Sequence, residues 1–124
     1  MTLIEVMLAI VILSGCTLAL SRFISSFQHT TSISTMQYLA SDLAMQRIEQ
    51  IKAWTVYTTL VAQYNGVVET FPGDPVYNGF TRTTVTTRCA GCPNGTNDYI
   101  TVTVSITGNG LTTPTNKTTV IAAF

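Results

Sequence analysis

Charge is scarce in this chain. Its 124 residues hold six Lys and Arg against six Asp and Glu, a tenth of the sequence, and these cancel to a net charge of zero. Nucleic-acid binding is chiefly neutralisation of phosphate by Lys and Arg, so this balance removes the strongest sequence argument for that partner. Histidine is reduced to His29. No Ser-His-Asp arrangement can be built around it, and it reads as a solvated helix residue. Zinc takes four ligands, which one histidine and one close cysteine pair do not supply. Asp42, Glu49, Glu69, Asp74 and Asp98 show no pairing at motif spacing, no calcium loop is evident, and no glycine-rich phosphate loop follows a strand. The chain therefore reads as a non-enzyme with no cofactor and no metal.

What the chain does have is apolar length. From Met1 to Leu20 the only charge is Glu5, and the next is Arg22. About 20 apolar residues are what a helix needs to cross roughly 30 Å of hydrocarbon. The run is too long for the apolar part of a cleavable secretory signal and lacks the basic residues that would precede one. A carboxylate one turn inside such a segment is costly in lipid and calls for a partner cation. On a helix, position 5 leans back beside position 1, so an amine at Met1 is the nearest candidate. A neighbouring copy shifted by a few residues offers its own amine instead, which would make Glu5 a register device for assembly. The plainer alternative is a membrane anchor whose Glu5 snorkels into the headgroups.

Met1-Thr2-Leu3-Ile4-Glu5-Val6, followed by an unbroken apolar helix, resembles the mature N-terminus of a type IV pilin or a type II secretion pseudopilin. The resemblance covers residues 1–52 by motif and periodicity, and the remainder in general layout. It implies that Met1 is the N-methylated first residue left by prepilin peptidase, and that its amine pairs with Glu5 of an adjacent subunit. Many pilins carry a helix-breaking Pro near position 22, where this chain has Arg22. Gly15, inside Ser14-Gly15-Cys16-Thr17, is the candidate hinge. The alternative for Gly15 is a small residue that lets a neighbouring helix approach closely.

From Met36 a helical period sharpens. Met36, Leu39, Ala40, Leu43, Ala44, Ile51 and Trp54 share one side, with Asp42, Gln46, Glu49 and Lys52 on the other. Arg47 falls within the apolar stripe and has to snorkel or pair. The helix is expected to run from Thr2 to about Ala53. Asn65-Gly66, Pro72-Gly73-Asp74-Pro75 and Asn78-Gly79 mark residues 54–79 as an irregular connection with a short strand near 66–71. Residues 80–88, 99–107 and 117–124 then alternate with period two and are rich in Thr, Val and Ile. The fold class is α+β: a long N-terminal helix, its apolar half protruding and its amphipathic half packed against an antiparallel meander of three or four strands. This resembles the pilin fold. The expected organisation is a membrane or filament-core segment at 1–25 and a globular head at 26–124, with the sheet at 80–124.

Cys89 and Cys92 sit in a polar loop, and Cys16 in the apolar helix. If that loop lies outside the cytoplasm, an 89–92 disulfide follows and Cys16 is a buried free thiol. A thioredoxin-like site would need a strand-to-helix junction, whereas strands flank this pair. Asn94-Gly95-Thr96 and Asn116-Lys117-Thr118, both read as loops, match the glycosylation acceptor pattern. Ordinary turn chemistry and the β-propensity of Thr are the stronger explanation at either site.

The resemblance implies a structural subunit of an extracellular type IV pilus filament serving surface attachment, twitching motility or DNA uptake, and the small, simple head favours a major over a minor subunit. Its partners would be copies of itself in a helical filament, the inner-membrane assembly platform and prepilin peptidase, with surface or DNA contact through the fibre. It would lie in the inner membrane before assembly and on the cell surface afterwards. The alternative is a minor pilin or a type II secretion pseudopilin, whose helix the run Leu39–Glu49 somewhat resembles.

Overall fold

A computed structural model describes residues 2–92 and 98–123. Helix α1 runs Leu3–Lys52, a one-turn helix α2 covers Leu60–Tyr64 behind a 3-10 turn at Tyr57–Thr59, and four strands follow: β1 Val67–Thr70, β2 Phe80–Ala90, β3 Asp98–Gly108 and β4 Thr115–Ala122. The strands form one antiparallel sheet in sequence order. The fold is α+β, with the long N-terminal helix packed on a four-stranded antiparallel sheet. Two compact units divide at Ser34 and Thr35.

In the first unit every side chain from Thr2 to Ser32 is exposed. Its hydroxyls bond back to the helix: Ser14 to the Ile10 carbonyl, Thr17 to Ser14 (2.9 Å), Ser21 to Thr17 (2.9 Å) and Ser25 to Ser21 (3.1 Å). Bonding one turn back satisfies each hydroxyl locally, so these residues join an apolar helix without leaving an orphan donor. Helix α1 is continuous through Gly15, and a Cβ built there meets nothing within 4 Å.

In the second unit the 3.6-residue stripe becomes a core. Ala40, Leu43, Ala44, Ile48 and Ile51 of α1 are buried together with Leu60, Tyr64, Phe80, Ile100, Val102, Val104 and Ile106. Met36 and Leu39 pack against the edge of this cluster. The helix ends at Lys52, and after Ala53 come Trp54-Thr55-Val56-Tyr57, four residues of modest helix propensity. Trp54 lies beyond the helix and is 39% exposed. Its ring meets Tyr64 edge-on at 5.6 Å and its Nε1–H donates to Thr59 Oγ1.

Each strand alternates its two faces. Ile100, Val102, Val104 and Ile106 turn inward, opposite Arg88, Thr86, Thr84 and Arg82 of β2 and Ile121, Thr119, Lys117 and Thr115 of β4. The outward face is Thr81, Thr83, Val85 and Thr87 on β2, Thr101, Thr103, Ser105 and Thr107 on β3, and Asn116, Thr118 and Val120 on β4. The turn into β2 is tight. Gly108 has φ +95°, and a Cβ there would lie 2.3 Å from the Gly79 carbonyl oxygen.

Two sequence boundaries move. The stretch read as an irregular connection contains the 3-10 turn and α2, and the sheet begins at Val67 rather than Phe80. Leu60 and Tyr64 bury against the core, and that burial holds a single turn which propensity alone would not. Asn116 lies in β4, not in a loop, because pairing with Ser105 extends that strand back to Thr115.

Candidate functional site

The first unit presents apolar surface at length. Fourteen large hydrophobic residues between Leu3 and Phe27 are exposed, from Val6 at 46% to Leu3 at 81%. Soluble monomers seldom leave contiguous patches of this size uncovered. Helix α1 is long and apolar enough to cross a membrane. Glu5 stands in its first turn beside Val6, Ala9, Ile10 and Leu13, which form a shallow apolar surface with it. Among the described residues no cation lies against Glu5. Phe23 and Phe27 stack one turn apart, with ring centroids at 6.5 Å.

The second unit carries three polar clusters. In the largest, a single Glu69 oxygen takes N–H groups from Arg47 Nη2 (2.8 Å), Arg82 Nη2 (2.7 Å) and Arg82 Nε (2.8 Å). The two guanidinium side chains are 5% and 10% exposed, against 33% for Glu69. Arg47 also donates to Gln50 Oε1 (2.7 Å) and Thr84 Oγ1 (3.3 Å) and lies over the Tyr64 ring. Arg82 donates to the Leu43 carbonyl and lies over Phe71. Burial holds the Arg47 pKa below its usual value, opposed by the Glu69 charge. The network ties β1, β2 and α1 together, and its donors are already spent on protein acceptors.

The second cluster closes the root of the cysteine loop. Arg88 and Asp98 form a two-point ion pair through Nε (3.0 Å) and Nη2, and Tyr57 Oη–H donates to the same carboxylate at 2.9 Å. The hydrogen bond from Arg88 holds the Asp98 carboxyl below its usual range. Burial, then the bond to Asp98, raises the Tyr57 hydroxyl. In the third, Tyr77 Oη–H donates to Asp42 Oδ2 at 2.7 Å, and Gln46 Nε2 donates to both. The bond to Asp42, then burial, raises the Tyr77 hydroxyl.

Cys89 and Cys92 are joined by a disulfide, their Cα atoms 5.7 Å apart, and Cys16 is a free, exposed thiol. His29 is exposed on α1. Asn116 is an exposed strand residue. Met1 and Asn94 lie outside the described residues. Met1 apart, Glu5 is not brought against any other candidate: Gly15, the cysteine pair and Asn116 stand at separate places along the chain.

Sequence reasoning marked Arg47 as needing a partner but did not name Glu69 and Arg82. A signal existed. Both sit at inward positions of alternating strands, Val67-Val68-Glu69 and Phe80-Thr81-Arg82, where a charge demands an opposite charge. Among the described residues, no group of three or more His, Cys, Asp or Glu is placed to hold a metal ion. Comparison with protein-family models, with curated proteins and with solved structures returns no match for this chain.

Proposed function

We propose that the chain is a structural subunit of a type IV pilus-like filament, assembled through its apolar N-terminal helix. One observation carries this reading: a helix whose apolar side chains are exposed from Leu3 to Phe27, with one carboxylate in its first turn. Covering fourteen such side chains is worth on the order of 15 kcal/mol or more relative to water, so they require lipid or protein around them. Lipid serves before assembly and the same helix of neighbouring copies afterwards. Because that transfer exchanges one apolar cover for another, the net drive is far smaller than the gross figure.

Glu5 supplies direction. In an apolar surround its charge is tolerated only beside a cation, and the resemblance assigns that cation to the Met1 amine of an adjacent subunit. Copies stacked at any other register leave the carboxylate unpaired. Locally bonded hydroxyls at Ser14, Thr17, Ser21 and Ser25 keep the intervening helix compatible with an apolar core. The protein would lie in the inner membrane before assembly and in an extracellular fibre afterwards, serving attachment, twitching movement or DNA uptake. The test is Glu5→Ala in producing cells. The variant is expected to remain in the membrane fraction and to be depleted from sheared fibres. Fibres formed at the wild-type level would contradict the proposal.

A further inference from the structure

The outward face of the sheet is uncharged. Every charged residue of the four strands (Glu69, Arg82, Arg88, Asp98 and Lys117) stands at an inward position. What faces out is a field of β-branched side chains centred on Thr83, Val85, Thr101, Thr103, Thr118 and Val120. Charge is the device by which proteins keep exposed β-structure from associating at sheet edges, and this face carries none. Val85 and Val120 are 46% and 60% exposed.

We propose that this face is a self-association surface, on which the sheet of a second copy packs face to face. The chemistry is self-complementary. A threonine hydroxyl both donates and accepts, so identical hydroxyl fields satisfy each other across a two-fold axis, where ammonium or carboxylate fields would repel. Thr103 and Thr118 already show this pairing between strands, Oγ1 to Oγ1 at 3.2 Å. β-branched side chains are stiff at χ1 and lose little freedom on packing. Two right-twisted sheets pack aligned at about 30° and about 10 Å apart. At ordinary strand spacing and rise the face spans roughly 500 Å² per copy. A pair thus buries about 1,000 Å², the lower limit for a specific contact, which fits a weak association that rises with concentration. Copies held close together by the proposed filament would use it most, but the contact does not depend on the filament reading.

The test uses the full chain in detergent micelles with Cys16→Ser, which removes the only free thiol, and a single cysteine at Thr103. Because facing sheets stand too far apart for a direct disulfide, a short bis-maleimide is the cross-linker; it is expected to trap a dimer at Thr103→Cys that a cysteine at exposed Glu49, on the helix, does not trap. Adding Thr83→Lys and Thr101→Lys places four like charges across the axis and is expected to reduce cross-linking more than about tenfold. Unchanged circular dichroism checks that these surface variants fold. Equal cross-linking at the two positions, no dimer at Thr103→Cys, or indifference to the lysines overturns the proposal. Retention on insoluble neutral polysaccharide without dimerisation overturns it too, and assigns the face to a sugar. Because Glu5 is untouched, either result leaves the filament reading to its own test.

Discussion

Replacing Glu69 by Gln keeps the shape of the buried network and removes its only negative charge. In the wild type one carboxylate oxygen receives three guanidinium N–H groups at 2.7–2.8 Å, from side chains that are 5% and 10% exposed. Without the charge, Arg47 and Arg82 face each other with neutral partners only. Removing one partner of a buried ion pair costs about 3–5 kcal/mol. Glu69 itself is one-third open to water, which screens part of that loss, so about 2–3 kcal/mol is the working figure. For a head of roughly 100 residues each kcal/mol moves Tm by about 4–8 °C, giving a fall of about 10–20 °C. The assay is thermal unfolding of the full chain in detergent, followed by Trp54 emission. That indole contacts Tyr64, whose ring lies under Arg47. Replacing the whole triad, Arg47→Met with Glu69→Leu and Arg82→Met, should recover much of the loss, because no charge is then left unpaired. A shift below about 2 °C for Glu69→Gln would refute the claim that this carboxylate holds β1 and α1 together.

Three further outcomes follow from the same geometry. Asp98 is depressed chiefly by its bond to Arg88, so its contribution is present above the ordinary carboxylate pKa and lost as pH falls through the lower folded value. Unfolding of Asp98→Asn across that acid window should be less pH-dependent than wild type, and identical slopes would contradict the assignment. Gly108→Ala should lower stability by about 1–3 kcal/mol in urea titration, since the new methyl meets the Gly79 carbonyl at a positive φ; an unchanged midpoint contradicts the tight turn. Replacing Cys89 and Cys92 by Ser should cost at most about 2 kcal/mol, because the closed loop is very short, and a loss well above that would mean the bridge does more than staple the hairpin.

The helix and the long strands were legible because each repeats a period long enough to register. Met36 to Ile51 returns to one face every 3.6 residues, and β2 and β3 alternate over most of their length, the stretches 80–88 and 99–107 carrying the pattern. Helix α2 has five residues and offers less than two helical repeats of pattern; it exists because Leu60 and Tyr64 are buried. Strand β1 was visible as a short strand near 66–71 but not as a member of the sheet, since four residues carry only two inward positions. Asn116 reads as a turn residue by propensity, and tertiary pairing with β3 overrides that preference. Of the proposed assembly site, the apolar run and its lone carboxylate were readable directly, because both are statements about composition. Glu69 as partner of Arg47 was not, because that pairing joins positions 22 residues apart through the fold.

The most direct test of the central claim is to shear filaments from cells that make this protein and identify their bulk subunit by mass spectrometry. The account predicts that this chain dominates the fibre and carries a methylated Met1. A chain found only in membranes, or only in trace beside another subunit, would contradict the reading as a major filament subunit.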